Sequence, residues 1–135
     1  MVDCLFCKII AGDIPADKVY EDEEFLAFQA LHQSSPGHTL VIPKEHSEDL
    51  LDMDSELGSK CLAVLQKVAN AMMEGLPCDG FNIGVNTRAE AGQVIFHTHV
   101  HIIPRRKDDG LGNWPEHPTT DEERALFAEK IISKL

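Results

Sequence analysis

The chain has no long apolar run. Nothing in its 135 residues approaches the ~20 consecutive apolar residues of a membrane-spanning helix, so a membrane-embedded protein is not expected. The start, Met1-Val2-Asp3-Cys4, has neither the basic n-region nor the apolar core of a secretory leader. A cytoplasmic location is the expectation. Basic residues are scarce: 12 Lys and Arg stand against 23 Asp and Glu, a net charge of −11. That balance argues against general nucleic-acid binding, whose affinity rests on clustered Lys and Arg. An anionic ligand would have to be held by local donors and not by the overall field. Cysteines are also few, and the four at positions 4, 7, 61 and 78 do not form a disulfide framework in a chain of this kind. Internal repeats and linkers are lacking, and the length suits one domain with one core.

What is present reads as alternating short elements. Cys4 to Ala11 predicts a short helix that Gly12 can end. Lys18-Val19-Tyr20 and Glu24 to Phe28 predict two strands around the acidic turn Glu21-Asp22-Glu23. Ser34-Ser35-Pro36-Gly37 is a turn, and His38 to Pro43 a third strand. Asp54 to Glu74 carries Leu57, Cys61, Val64, Leu65, Val68 and Met72 on one helical stripe. Asp54 or Ser55 can cap its start, and Gly75 can close its end. Phe81 to Asn86 is a fourth strand, Thr87 to Gly92 a loop, and Gln93 to Ile103 a fifth strand. Asp108 to Thr119 is irregular. Thr120-Asp121-Glu122-Glu123 has the form of a capping box, opening a final helix with Phe127, Ile131 and Leu135 at four-residue steps. Strands in consecutive runs with helices between them predict an α+β fold with an antiparallel sheet.

The fifth strand contains His97-Thr98-His99-Val100-His101-Ile102-Ile103-Pro104. Alternate residues of a strand share a face, so His97, His99 and His101 are expected to project together. Imidazoles are costly to bury unless they bind a metal, an anion or a proton network. A neutral imidazole can also attack phosphorus and leave again. Ala91-Gly92-Gln93 places a glycine, whose backbone can approach a ligand closely, beside a side-chain amide donor. Backbone amides in such a turn can nest a phosphate. From spacing alone, a metal site on the histidines stays open beside the phosphate reading. Cys4-x-x-Cys7 likewise suits a metal or a redox pair, and the redox reading is disfavoured because the motif does not follow a strand in a βαβ unit. Cys61 lies on the apolar stripe and reads as core. Arg105-Arg106-Lys107 could touch a leaving group, although a basic run is usually solvated surface. Trp114 can either cover a pocket mouth or pack as dimer core.

The histidine row resembles the His-φ-His-φ-His-φ-φ signature of the histidine triad (HIT) family of nucleotide hydrolases and transferases. Phe6-Cys7-Lys8-Ile9-Ile10, Ile14-Pro15, the Pro36 to Lys44 segment and Ala91-Gly92-Gln93 resemble the family pattern in order and spacing. The resemblance implies one HIT domain over residues 1–135, with a helical tail from about residue 118. It implies a five-stranded antiparallel sheet with a long helix and short N- and C-terminal helices. It also implies a homodimer in which two sheets join into ten strands.

By the same resemblance His99 is the nucleophile, attacking the α-phosphorus of an AMP- or GMP-like nucleotide to give a nucleotidyl-histidine. His101, Gln93, Gly92 and Val94 would hold the phosphate, and His38 would sit behind His99 and orient it. Asn86 would lie at the phosphate and ribose end. Leu5, Phe6, Ile9, Phe28 and Leu31 would surround the base and sugar. A zinc-bearing branch of the family implies a structural Zn²⁺ on Cys4, Cys7, His46 and His97. The implied activity is hydrolysis of a purine nucleoside phosphoramidate, a dinucleoside polyphosphate or a related adenylate. A nucleotide-binding module with little catalysis, or a nucleotidyltransferase, are the alternatives. One position departs from the pattern: Ala30 stands where the family usually has the acid that holds the ribose hydroxyls, which implies weaker ribose discrimination unless Gln29, His32 or Gln33 does that work.

Overall fold

Strands that are apolar on both faces need a cover on each side, and the central strands of this chain are of that kind. The protein is described by a computed structural model covering residues 3–135; the Met1-Val2 start, read above for a leader, lies outside them. In chain order the elements are α1 (Leu5–Ala11), β1 (Lys18–Glu21), β2 (Phe25–Gln29), β3 (Thr39–Pro43), α2 (Ser55–Gly75), β4 (Gly80–Gly84), β5 (Val100–Arg105) and α3 (Asp121–Ile132). The five strands form one sheet in the order β1-β2-β3-β5-β4, every neighbouring pair antiparallel. The α+β expectation therefore holds.

The register sorts side chains between two cores. Phe25, Ala27, Val41, Val100 and Ile102 pack under α2, against Leu57, Cys61, Val64, Leu65, Val68, Ala69 and Met72. Leu26, Phe28, Leu40 and Ile42 face the other way and pack with Phe6 and Ile9 of α1. Every member of the stripe read from α2 is buried. The Asp54 side chain caps that helix, accepting the Leu57 amide at 2.9 Å. Gly75 is the last helical residue and not the terminator, and the extended Leu76 follows it. Gly12, at φ +84°, ends α1 as a left-handed cap. The capping box at Thr120 and Glu123 is present at the start of α3. Among the described residues no helix is long and apolar enough to cross a membrane.

The expected histidine strand is shorter than its pattern suggests. Pairing between β3 and β5 runs only from Thr39↔Ile102 to Val41↔Val100, so His101 alone of the three histidines lies on a strand. Pro43 has no amide to donate, and its carbonyl is taken by the His97 ring at 2.7 Å. The Thr98 amide instead bonds the Ser47 carbonyl at 2.8 Å. Residues 93–99 thus lie outside the sheet, yet His97 and His99 both pack against Phe6 of α1, the side on which Leu40, opposite His101, is buried. His38 likewise precedes β3, and β4 ends at Gly84.

Ile102 is fully buried beneath α2. Ile102→Ala is expected to lose about 2–5 kcal/mol of stability, and Asp54→Ala about 1 kcal/mol through the lost cap. Urea denaturation of the two variants, measured side by side, checks this; equal losses would contradict the assignment of Ile102 to the core.

Candidate active site and metal centre

A carbonyl oxygen only accepts hydrogen bonds, and a backbone amide only donates. Those two facts assign protons to the histidines. His99 Nδ1 lies 2.7 Å from the His97 carbonyl, so Nδ1 carries the proton and Nε2 carries a lone pair. His38 Nδ1 accepts the Ser34 amide at 3.0 Å, so in the neutral ring the proton is on Nε2. That atom sits 2.9 Å from His101 Nδ1 and donates to it. His101 is then left with its proton on Nε2, a buried atom with no hydrogen-bond partner among the described residues.

Burial keeps these rings in the neutral form. It pushes His99 below the usual histidine value. His38 is lowered in the same way, with a smaller contribution from His99. His101 is pushed down to about 4, by burial first and then by the neighbouring His99 and His38. The His99 and His101 ring centres are 5.0 Å apart. On its other side, His99 meets the Phe6 ring edge-on at 5.2 Å. The centre is therefore a bare imidazole nitrogen beside an unengaged N–H donor, against an aromatic wall. In that arrangement the His38 ring bonds His101, whereas the family resemblance implied that it sits behind His99. The backbone of His97 orients His99.

His97 also borders the Phe6 ring, at 5.8 Å, but its two nitrogens are engaged elsewhere. Its Nε2–H is donated to the Pro43 carbonyl at 2.7 Å, which leaves Nδ1 bare. That nitrogen lies 3.4 Å from Cys4 Sγ, 3.6 Å from Cys7 Sγ and 3.1 Å from His46 Nδ1. His46 Nδ1 is 3.4 Å from Cys7 Sγ. All four donor atoms lie within 4.8 Å of one another. The edges of a zinc tetrahedron with bonds of about 2.0–2.3 Å run to roughly 3.3–3.8 Å, so the four residues fit a tetrahedral metal. Cys4 is also the N-cap of α1, accepting the Cys7 amide on sulfur at 3.3 Å. Burial, with the Cys4 sulfur beside it, pushes the Cys7 thiol up to about 11. A divalent cation at the centre of the four would offset that cost by favouring thiolate.

The remaining expected site residues divide by position. Phe6, Ile9 and Phe28 are buried in the core beneath α1, whereas Leu5 is half exposed and Leu31 and Val94 are largely exposed. The Gln93 amide, expected to reach a phosphate, is already engaged: Nε2 donates to the Glu48 and Ile95 carbonyls, and Oε1 accepts the Arg88 amide. Its work here is to fix the loop whose Gly92 adopts φ +93°. Asn86 donates weakly to the Gly92 carbonyl at 3.4 Å. Near Ala30, Gln29 donates to Thr39, and Gln33 spans Gln29, Ala30, Gly37 and His38.

A hollow of about 480 Å³ opens beside His38 and His101, bounded by Asn82, Asn86 and Arg105 and by the segment that carries Trp114. Trp114 itself is exposed. Of the basic run, Lys107 is exposed, whereas both arginines are engaged. Arg105 binds Asp109, Asn82 and the Leu111 carbonyl, and Arg106 reaches back to Ser35 and Pro36. Sequence reasoning missed the Pro43 and His97 carbonyls and the Ser34 amide, because backbone groups carry no residue-type signal.

Comparison with known proteins agrees with this geometry. The HIT domain pattern matches residues 11–108. The adenosine 5′-monophosphoramidase of Schizosaccharomyces pombe is 38% identical over 136 residues, covering 99% of each chain. A crystal structure of a HIT family member from Bacillus subtilis superposes with a TM-score of 0.91 at 42% identity, covering 99% of this chain and 98% of that one. A Zn-bound histidine triad family protein from Mycobacterium smegmatis superposes with a TM-score of 0.78 at 41% identity, covering 97% of each. With its fold, its histidine row and most of its length matched, the chain belongs to the HIT domain family.

Proposed function

We propose that the protein is a nucleotide hydrolase acting at the α-phosphate of a purine nucleoside phosphoramidate, a dinucleoside polyphosphate or a related adenylate. One observation carries the reading: the His97 carbonyl holds the proton of His99 on Nδ1 and leaves Nε2 free beside the unengaged N–H of His101. Nε2 would attack phosphorus, forming an N–P bond as the bond to the leaving group breaks. The leaving group departs with a proton from solvent. Water then cleaves the N–P bond and releases the nucleoside monophosphate. His101 would donate to the phosphate oxygens, where charge is held in the transition state. The base and sugar would lie toward α1, with Phe6, Ile9 and Phe28 as a wall and Leu5 and Leu31 at the rim. Gly92, Val94 and Asn86 would meet the phosphate and ribose through backbone and amide. The relation to the Schizosaccharomyces pombe phosphoramidase supports this substrate class.

Ala30 brings no carboxylate to the ribose, and the amides of Gln29 and Gln33 are occupied. The sugar hydroxyls would therefore add little to recognition.

Cys4, Cys7, His46 and His97 would hold a structural Zn²⁺. A metal held there would tie the start of α1 to the segment ahead of β5 and would take no part in the proposed chemistry. The donor geometry and the Zn-bound relative support it. β4 lies at the sheet edge with a charge-free sequence, Gly-Phe-Asn-Ile-Gly, and exposes Phe81 and Ile83. Unprotected edges of this kind pair with another strand, so two copies would join along β4 into a ten-stranded sheet. Light scattering is expected to give twice the 15.0 kDa chain mass; a monomer at micromolar concentration would contradict the assembly.

Single-turnover quenching with labelled adenosine 5′-phosphoramidate is expected to trap an acid-labile adenylyl adduct in wild type and none in His99→Ala. The 2′,3′-dideoxy analogue should label to a similar extent. An adduct that survives in His99→Ala would overturn the assigned nucleophile, and a strong loss with the dideoxy analogue would overturn the sugar-tolerant site. Elemental analysis is expected to find one zinc per chain, lost in Cys4→Ser and kept in His99→Ala. Metal-free wild-type protein of full stability would remove the structural role.

A further inference from the structure

Arg106 follows β5 directly and takes no part in the reaction proposed above. Its guanidinium spans two groups of one turn: Nη1 donates to Ser35 Oγ at 2.9 Å and Nη2 to the Pro36 carbonyl at 3.0 Å. Ser35 is buried, and its carbonyl accepts the His38 amide at 2.9 Å. Ser34, next to it, supplies the amide that His38 Nδ1 accepts. The turn is therefore tied to the strand of His101 in two places, through the two imidazoles and through this arginine.

The imidazole pair has two self-consistent proton arrangements. In one, the proton of His38 lies on Nε2 and that of His101 on Nε2. In the other, both protons move to Nδ1, His101 donates to His38, and His101 turns a lone pair toward the centre. The first offers a donor to phosphate oxygen and the second repels it. The Ser34 amide favours the first, because a protonated Nδ1 on His38 would face an N–H donor. That selection holds only while the turn keeps the Ser34 amide in place. Gln33 holds the turn from the β2 side, and Arg106 holds it from the β5 side.

We propose that Arg106 is a positioning residue for the His38–His101 pair: it pins the Ser34 to Gly37 turn to the end of β5 and thereby keeps the proton of His101 on Nε2. The fork of the guanidinium is needed, because a lysine offers a point charge that does not span a hydroxyl and a carbonyl together. The consequence for catalysis rests on the function proposed above. The proton assignment does not.

Long-range ¹H–¹⁵N correlation of the imidazoles in the full-length, metal-loaded protein without substrate tests the inference. Wild type is expected to show His101 protonated on Nε2 and bare on Nδ1. Arg106→Gln and Arg106→Lys should shift both nitrogens of His38 and of His101 toward the reverse arrangement. With adenosine 5′-phosphoramidate, kcat should fall about tenfold in each, as when a reacting group is slightly misplaced, with KM changed less than about twofold. Ser35→Ala should shift the same signals by less, and the double variant should be no worse than Arg106→Gln alone. Should Arg106→Gln fail to fold, Ser35→Ala, which removes only one hydroxyl, decides the matter by the same signals. Unmoved His101 nitrogen signals in a folded Arg106 variant would overturn the proposal. Signals that move in a protein without hydrolase activity would defeat the catalytic reading and sustain the positioning one.

Discussion

The hydrogen bond from His97 to the Pro43 carbonyl governs the rest of the site. Pro43 ends β3 without an amide to offer, and its oxygen takes the His97 ring instead of a strand partner. Pairing with β5 therefore stops at Val100. The bond also strips the proton from His97 Nδ1 and aims that nitrogen at Cys4, Cys7 and His46. The backbone at His97, set in this position, presents its own carbonyl to His99. One contact thus separates an imidazole whose bare nitrogen meets the cysteines from one, two residues away, whose bare nitrogen does not. Such an outer contact, which fixes the tautomer of a ligating histidine, is a common way of tuning a metal site.

Burial also keeps the histidines of the site neutral. The chain carries a net charge of −11, and long-range attraction would favour protonated imidazoles. Burial outweighs that field and holds His38, His99 and His101 below the ordinary histidine value. The proposed nucleophile would need its lone pair near neutral pH, and desolvation meets that condition. The backbone then decides which nitrogen bears the lone pair, through a carbonyl at His99 and an amide at His38. Packing sets protonation, and hydrogen bonding sets the tautomer.

Much of the scaffold was legible in residue order. The stripe of α2, its Asp54 cap, the Gly12 stop and the capping box of α3 rest on local rules of spacing and hydrogen-bond chemistry, and each is present. The alternating histidines overstated the length of the strand: His97 and His99 border Phe6 on the α1 side, as their two-residue period suggests, yet they precede β5, because the partners of their segment are Ser47 and Pro43, about fifty residues away in the chain. The partner of His38 was hidden for the same reason. Its ring meets His101 across the antiparallel register that sets Leu40 opposite His101. Arg106 reads as part of a solvated basic run in the sequence because the turn at Ser35 that binds it lies about seventy residues away in the chain.

By itself the sequence determined the types of groups available. It carried three alternating imidazoles, a Cys-x-x-Cys pair at a helix start and a glycine-bearing loop. These follow from residue identity and short-range spacing, which survive in any conformation of the chain. Tertiary structure alone decided what each group faces. Which nitrogen carries a proton, and which histidine presents a bare nitrogen to the cysteines, depend on backbone carbonyls and amides that the fold brings into place. Those groups are the same in every residue, so only the fold, by placing them, gives them a meaning.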